Sequence, residues 1–374
     1  HAPVFITPPR AVEAQPSGKQ AAGLTGSSMH PVSRMSRRWA RLRRRFGLLS
    51  HPVTSADLAS EAPIRAQLFS AEQMELHGKA LALTHRIHAG RVPDRLLARL
   101  SDNAALLEDA RTFLSLMVRD DIRITPAGEW LLDNYHLIEE QVRLARRHLP
   151  KGYSRELPAL SKGASAGLPR VYDLAMEAVA HGDGQVDAVT LSRFVAAYQS
   201  VTPLTLGELW AIPIMLRLAV LENLRRMAAG VIRDGRDHRR ARRWAERLNA
   251  TAAESPKDVV LVVADMARSQ PPATGAFVAE LTRGLHGRGA LLTMPLTWIE
   301  QWLTDSGLRI EALVHAESQQ QAADQVSIGN SIGSLRFLAN MDWREYVETM
   351  SLVDATLRED PGATYGLMDF ATRD

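Results

Sequence analysis

Apolar residues recur three and four positions apart along most of this chain. Between residues 130 and 147 they alternate with charged residues on the opposite side, and a second, shorter stretch from residue 191 to 198 repeats the pattern. This spacing places apolar side chains on one face of a helix and charges on the other, which predicts amphipathic helices around a common core. The apolar positions of the first stretch are Leu131, Tyr135, Ile138, Val142 and Ala145.

Residues that commonly begin helices stand ahead of these patterns. Ser70 and Thr205 are each followed three residues later by glutamine or glutamate, which is the form of a capping box. Thr125 and Ser255 each precede a proline, and proline is well tolerated at the first helical position. Asp342, followed three residues later by Glu345, is the predicted start of the last helix. Five helix starts are therefore predicted at these residues.

The pattern as a whole favours an all-α fold, a multi-helix bundle of layered antiparallel helices joined by short turns. The run Val259–Val263 taken alone would suit a strand, but the cap ahead of it and the helical patterns around it predict a buried helix. The most apolar window, Leu209–Leu221, is shorter than the roughly 20 residues that a bilayer span needs. No transmembrane span is predicted.

Composition divides the 374 residues into three regions. Residues 1–59 are low in complexity and rich in arginine, which predicts a disordered tail. Residues 60–250 are predicted to form an N-terminal helical subdomain. Residues 251–374 are predicted to form a second helical subdomain that is truncated at its C-terminal end. The chain has no cysteine, which excludes disulfides, thiolate metal sites and cysteine nucleophiles.

Positive charge is concentrated in the tail. The formal net charge is +3, and the tract from residue 34 to 45 holds seven arginines without an acid, so the rest of the chain sums to +3 − 7 = −4. Such a tract can be a plain basic tail, can bind an anionic membrane surface, or can bind nucleic acid. The candidates for membrane-surface contact are Arg37, Arg38, Trp39, Arg41, Arg43, Arg44 and Arg45.

Motifs that carry chemistry are missing from the sequence. No phosphate-binding glycine loop or nucleophile elbow follows a strand pattern, and Asp183 with Asp187 fits a turn better than a calcium loop. Glu208, Glu222 and Arg217 fall in one mostly apolar helix, where charges must be paired, so an internal ion-pair network is predicted. We predict no catalytic, cofactor-binding or metal-binding residue.

Several segments together resemble one known family. The stretch from residue 168 to 227, which contains Thr-Pro-Leu-Thr-Leu-Gly-Glu-Leu-Trp, is similar to the cyclic β-1,2-glucan synthases, large bacterial inner-membrane glycosyltransferases. The shared order of short segments over about residues 62 to 374 makes the resemblance specific. The other segments are Pro63–Gln73, Thr125–His136, Gly152–Pro158, Gln321–Ser327, Asp342–Arg344 and Met368–Asp374.

The resemblance implies a place within a larger enzyme. It is to the N-terminal region, upstream of the membrane helices and the glycosyltransferase domain, on the cytoplasmic face of the bacterial inner membrane. UDP-glucose and a divalent cation are implied for the parent enzyme, and no cofactor is expected in this segment. The expected partners are the downstream glycosyltransferase and membrane domains of the same polypeptide, together with an anionic membrane surface and β-1,2-glucan.

Scaffolding or docking, rather than catalysis, is therefore the function we expect of the segment. Trp210, Tyr135 and Glu208 are weak candidates for glucan contact. Two alternatives stay open. One is an autonomous helical carbohydrate-active enzyme, which needs two carboxylates in a cleft lined by tryptophan or tyrosine. The other, which the resemblance disfavours, is nucleic-acid binding through the basic tract.

Overall fold

The computed structural model describes residues 62–90, 92–286, 292–362, 364–368 and 372. The predicted tail over residues 1–59, with its arginines and Trp39, lies outside them. The described part contains helices and no strand, with only two isolated β-bridges. Its α-helices are α1 (Ala71–Thr84), α2 (Leu96–Arg119), α3 (Pro126–Asp133), α4 (Tyr135–His148), α5 (Arg170–His181), α6 (Ala188–Gln199), α7 (Leu206–Glu254), α8 (Val259–Arg268), α9 (Gly275–Leu285), α10 (Thr293–Asp305), α11 (Ile310–Asn340), α12 (Trp343–Met350) and α13 (Leu352–Leu357).

The all-α prediction is confirmed. Short 3-10 helices at Tyr153–Arg155, Pro256–Asp258 and Tyr365–Leu367 lie among the connections. None of the helices in the described ranges combines the length and the apolar character that crossing a bilayer requires.

Helix α7 contributes buried side chains to both hydrophobic clusters of the described residues. Its 49 residues make it about 74 Å long at 1.5 Å per residue. The first half, which includes Leu209 and Ile232, lies in one hydrophobic cluster together with residues of α1 to α6. The second half, which includes Ala241 and Leu248, lies in another cluster with α8, α9 and α10. One helix therefore passes through both cores.

Helix α11 returns along the same path in the opposite direction. Its early residue Leu313 packs on the second cluster, and its later residues Ile328 and Leu338 are buried in the first. The pair α7 and α11 is thus antiparallel, as the predicted layering requires. The predicted subdomain boundary near residue 250 stays a prediction.

Local sequence signals place most helix ends correctly. Capping boxes form at Ser70 and Thr205, and the side chains of Thr125 and Asp342 accept backbone N–H groups as predicted. Ser255 makes no such capping bond, because a 3-10 turn separates it from α8. In α8, the side chains of Val259, Val262 and Val263 are buried, whereas those of Val260 and Leu261 are exposed. The prediction of a helix is confirmed there, but its burial is one-sided.

One predicted helix is two helices. The apolar stripe from residue 130 to 147 is interrupted at Asn134, which separates α3 from α4. The side chain of Asn134 donates to the carbonyl of Trp130 at 3.0 Å and accepts from Arg336 at 2.7 Å. Asn134 therefore bonds to the backbone of α3 and to a distant arginine, and no local pattern shows the second of these bonds.

The turn between α5 and α6 is held by buried polar groups of α11. The hydroxyl of Ser334 donates to the carbonyl of Gly184 at 2.7 Å and accepts from the Val186 N–H at 2.8 Å. Gly184 has a φ of +83°, and a Cβ there would lie 2.4 Å from the Ser331 hydroxyl. Asp187 caps α6. These contacts hold the segment between α5 and α6 as a tight turn.

The buried glutamates of α7 form ion pairs, as predicted. Their partners are arginines other than Arg217, which the prediction had placed in the same network. Glu208 is fully buried and accepts two hydrogen bonds from Arg170 at 2.5 and 2.7 Å. Glu222 accepts from Arg99, Arg226 and other neighbours. Burial alone would raise the pKa of Glu222. The hydrogen bonds and charge of Arg99, together with hydrogen bonds from Arg226 and Asn103, outweigh burial and hold that pKa below its usual value. The partner arginines come from α2 and α5 as well as from α7 itself.

Removing the charge at Glu208 tests how much the pair with Arg170 contributes. Glu208→Gln keeps a residue that can complete the capping box, but it leaves Arg170 buried without its counter-ion. We expect this change to lower the free energy of unfolding by about 3 to 5 kcal/mol in urea denaturation. Gln73→Ala in the exposed capping box of α1 is the control and should cost about 1 kcal/mol or less. Equal losses in the two variants would contradict the importance of the pair.

Asp234 makes the stability depend on pH. Burial and the nearby carboxylate of Glu317 raise the pKa of Asp234 to about 7. In the unfolded chain this group ionises near pH 4, so its contribution to stability is full below pH ~4 and is lost as pH rises to about 7.

Asp234→Asn should flatten the loss of stability between pH 4 and 7 and stabilise the protein at pH 8. We expect a gain of about 1 to 2 kcal/mol, less than the full pKa shift implies, because 25% of the Asp234 side chain reaches solvent. Urea denaturation across pH measures it, with exposed Asp258→Asn as the control. An unchanged pH profile in Asp234→Asn would contradict the assignment.

Candidate functional site

An open groove with a volume of about 710 Å³ lies beside the start of α7. We call it the Trp210 groove. One wall comes from α4, a second from α7, and a third from the end of α11 and the start of α12. Its lining residues are Leu137, Glu140, Gln141, Leu144, His148, Tyr153, Trp210, Pro213, Ile214, Arg217, Arg336, Leu338, Ala339, Asn340 and Trp343.

Helical spacing explains why α7 contributes to the groove as it does. Trp210, Ile214 and Arg217 are separated by four and three residues, so they lie on one face of the helix. Pro213 lies on the same side. A proline within a helix has no N–H to donate and pushes against the preceding turn.

Aromatic rings are presented from three elements. Trp210 of α7, Trp343 of α12 and Tyr153 of the 3-10 helix are all half-buried. Trp343 is fixed by donating from its indole Nε1 to the carbonyl of Leu338 at 3.1 Å. The Tyr153 segment is held by Asp94, which accepts from the Gly152 N–H at 2.6 Å. The groove therefore offers rings whose positions are set by their surroundings.

Arg217 is a buried cation with no carboxylate partner among the described residues. The residue is 6% exposed, and in the described part of the chain its one hydrogen bond runs from Nε to Gln141 Oε1 at 2.7 Å. Burial lowers the pKa of Arg217 through the cost of desolvating its charge. Since a guanidinium carries five N–H donors, Arg217 keeps donors for a molecule in the groove.

The three predicted glucan-contact residues do not come together. Trp210 lines the groove. Tyr135 does not line the groove. Its hydroxyl donates to Glu108 at 2.6 Å, and the guanidinium of Arg111 lies over its ring. Burial, and to a lesser extent the hydrogen bond to Glu108, raises the pKa of Tyr135. Glu208 is occupied by Arg170 in the interior.

Carboxylates and aromatic rings occupy different clefts. Among its lining residues the Trp210 groove has one carboxylate, Glu140. A second cleft of about 840 Å³ has several, interleaved with three arginines, but no tryptophan or tyrosine lines it. Those carboxylates belong to Asp121, Glu129, Asp133, Glu246 and Glu280. A glycosidase-like site needs both features in one cleft, so neither cleft supports the enzyme alternative.

Three side chains of the metal-ligand type that the sequence analysis did not single out come together elsewhere in the structure. His77 of α1 comes together with Glu177 and His181 of α5, with ligand-type atoms all within 4.8 Å of one another. One signal was available, because Glu177 and His181 are four residues apart on a helix. The partner His77 lies 100 residues before Glu177, and only the tertiary contact between the two side chains reveals it.

Comparison with known proteins relates the chain to a bacterial enzyme. No protein-family model matches the chain. The chain is 32% identical over 311 residues to the cyclic beta-(1,2)-glucan synthase NdvB of Rhizobium meliloti (strain 1021). The alignment covers 83% of this chain and 11% of that protein, so the chain spans about a ninth of its relative's length.

The two buried arginines should respond differently to substitution. Arg217→Met leaves the buried amide oxygen of Gln141 without its donor, which costs about 1 to 3 kcal/mol. It also removes a buried cation whose desolvation is unfavourable, so we expect a net loss of no more than about 2 kcal/mol in the free energy of unfolding. Arg170→Met leaves the charge of Glu208 buried and should cost about 3 kcal/mol or more. Urea denaturation of both variants measures the difference. A large loss in Arg217→Met would mean that Arg217 serves the fold rather than the groove.

Proposed function

The chain belongs to the cyclic β-(1,2)-glucan synthase family, and from this premise we propose that it is a non-catalytic helical segment of such an enzyme. In this proposal the segment holds the β-1,2-glucan chain in the Trp210 groove and docks on the rest of the synthase. Other parts of the polypeptide would carry the glycosyltransferase, with its UDP-glucose and divalent cation. The segment would precede the membrane helices, at the cytoplasmic face of the inner membrane.

The composition of the Trp210 groove carries the glucan-binding part of the proposal. A glucose ring has apolar C–H faces, which pack on aromatic rings, and a rim of hydroxyls, which need hydrogen-bond partners. Trp210, Trp343 and Tyr153 supply rings, and Arg217 supplies donors that no carboxylate of the described part occupies. Gln141 and Asn340 add further polar groups. An open groove of this size suits a few sugar units of a chain.

Separation of carboxylates from aromatic rings supports a non-catalytic role. Cleavage or transfer at a glycosidic bond uses two acids that flank the bound sugar. The exposed Glu140 is the single acid of the Trp210 groove. A segment with this lining can bind a glucan but has no second carboxylate there with which to cut it.

Exposed apolar residues near the end of the chain support docking. Leu352, Val353 and Leu357 of α13 are 47%, 61% and 44% exposed. Neighbouring exposed apolar side chains are typical of surfaces that contact another protein or a membrane. The downstream domains of the same polypeptide are the partner we propose for this surface. The basic tract around Arg37 to Arg45 is proposed to meet the anionic membrane surface.

Calorimetry with β-1,2-glucan oligosaccharides tests the Trp210 groove. The purified chain should bind them with a dissociation constant between micromolar and millimolar. Trp210→Ala should weaken binding at least tenfold, which corresponds to about 1.4 kcal/mol of lost contact. Arg217→Met should weaken it severalfold. The matched control is Trp130→Ala, which removes a tryptophan that is 40% exposed outside the groove. Tyr135→Phe, which removes only a hydroxyl bonded to Glu108, should also leave binding unchanged.

Two results would count against the proposal, each against a different part. If the chain releases no heat with any β-1,2-glucan, or if Trp130→Ala is as harmful as Trp210→Ala, the groove is not the glucan site. If the purified chain turns over UDP-glucose, the segment is catalytic. The first result would leave docking intact, and the second would overturn only the non-catalytic role.

A further inference from the structure

His77, Glu177 and His181 form a compact group of metal-ligand side chains at the contact of α1 with α5. The Nε2 atoms of the two histidines approach the same carboxylate oxygen, Glu177 Oε2, at 2.8 Å from His77 and 3.3 Å from His181. Three ligand-type atoms from two helices thus lie within 4.8 Å of one another. Nothing in the Trp210 groove depends on this cluster, and the alignment with the glucan synthase does not assign it.

Hydrogen bonding sets the tautomer of His181. Its Nδ1 lies 2.6 Å from the backbone carbonyl of Gln67. A carbonyl only accepts, so Nδ1 carries a proton. A neutral His181 then presents the lone pair of Nε2 to the carboxylate of Glu177. Two electron-rich atoms at 3.3 Å repel each other unless a cation, either a proton or a metal ion, lies between them.

This arrangement has the second-sphere support typical of metal sites. Metal-binding histidines usually donate their other ring N–H to a carbonyl or carboxylate, which fixes the tautomer and the ring orientation. Gln67 does this for His181. The ring of Phe69 also stacks on that of His181 with centroids 3.8 Å apart and an interplanar angle of 8°. His77 in turn packs edge-on against Phe69, with centroids 5.4 Å apart, and stacks with Phe194. Both imidazoles are therefore held in place before any ion binds.

We propose that His77, Glu177 and His181 bind one divalent transition-metal ion, with Zn²⁺ as the ion that this donor set fits best. Two imidazoles and one carboxylate are common zinc ligands, and a fourth position is left for water. A tetrahedral ion with bonds of about 2.0 to 2.1 Å separates its ligand atoms by about 3.3 Å. The His181–Glu177 separation matches this, and the His77–Glu177 pair needs to open by about 0.5 Å.

The site is open to ions from solvent. The side chains of His77 and Glu177 are 23% and 31% exposed, whereas His181 is nearly buried. Partly exposed side chains that move by a few tenths of an ångström can close on an arriving ion. Once bound, the ion would join α1, α5 and the segment that contains Gln67 and Phe69. Its effect would be to stabilise this corner of the fold.

Metal titration of the full chain tests the proposal. After treatment with EDTA and buffer exchange, the chain should bind one equivalent of Zn²⁺ in calorimetry with a dissociation constant of about 10 μM or tighter. Glu177→Gln and His77→Ala should each weaken binding at least tenfold. Glu177→Gln is the more conservative variant, because its amide oxygen can still accept from His77. His136→Ala removes an exposed histidine of α4 and is the matched control, with an expected change below twofold.

Cobalt gives a readout that does not depend on the variants. Co²⁺ bound by two histidines and a carboxylate should show the intense visible absorption of a four- or five-coordinate ion, which the aqueous ion lacks. Zn²⁺ should also raise the Tm of the unmodified chain but not that of Glu177→Gln. Absence of both the absorption and the heat, or equal affinity in Glu177→Gln and the unmodified chain, overturns the proposal. Equal weakening in His136→Ala also overturns it, because binding is then spread over unrelated histidines.

Discussion

The buried ion pair between Arg170 and Glu208 is the interaction on which the arrangement of the first core depends. It joins the first residue of α5 to the first turn of α7. Arg170 also donates to the carbonyl of Pro203, and its guanidinium lies 5.9 Å from the ring centre of Tyr198 in α6. Because Glu208 also completes the capping box with Thr205, one carboxylate sets where α7 begins and what it packs against. From this start the 49-residue helix continues through both hydrophobic clusters and contributes buried side chains to each.

The pairing of buried charged groups distinguishes residues that stabilise the fold from residues that can still bind a ligand. Glu208 and Glu222 are fully compensated by arginines, so they have little left to offer a ligand. Arg217 has no such partner in the described residues and lies at the Trp210 groove. His77 and His181 share one carboxylate oxygen with each other. A group whose bonds are incomplete within the fold, at a place that solvent reaches, is where binding is to be sought.

Prediction from the sequence succeeded where the determining contacts are local. The capping boxes at Ser70 and Thr205 form because both partners lie within three residues of each other. The interruption at Asn134 was missed, because it involves Arg336, some two hundred residues away. The ion-pair partners of Glu208 and Glu222 were misassigned for the same reason. Helix periodicity shows that a charge will be buried, but not which distant element brings its counter-ion.

By itself the sequence determined the all-α class and most helix starts, since propensity, capping and apolar spacing act within a few residues. The relation to the glucan synthases came separately, from the similarity of the sequence over most of its length. The tertiary structure decided which predicted residues share a site. It placed Trp210 with Trp343 and Arg217, and it placed Tyr135 and Glu208 elsewhere. It also brought His77 to Glu177 across 100 residues of chain. The physical reason is that a binding site depends on which surfaces bury one another, and burial is a property of the packed whole.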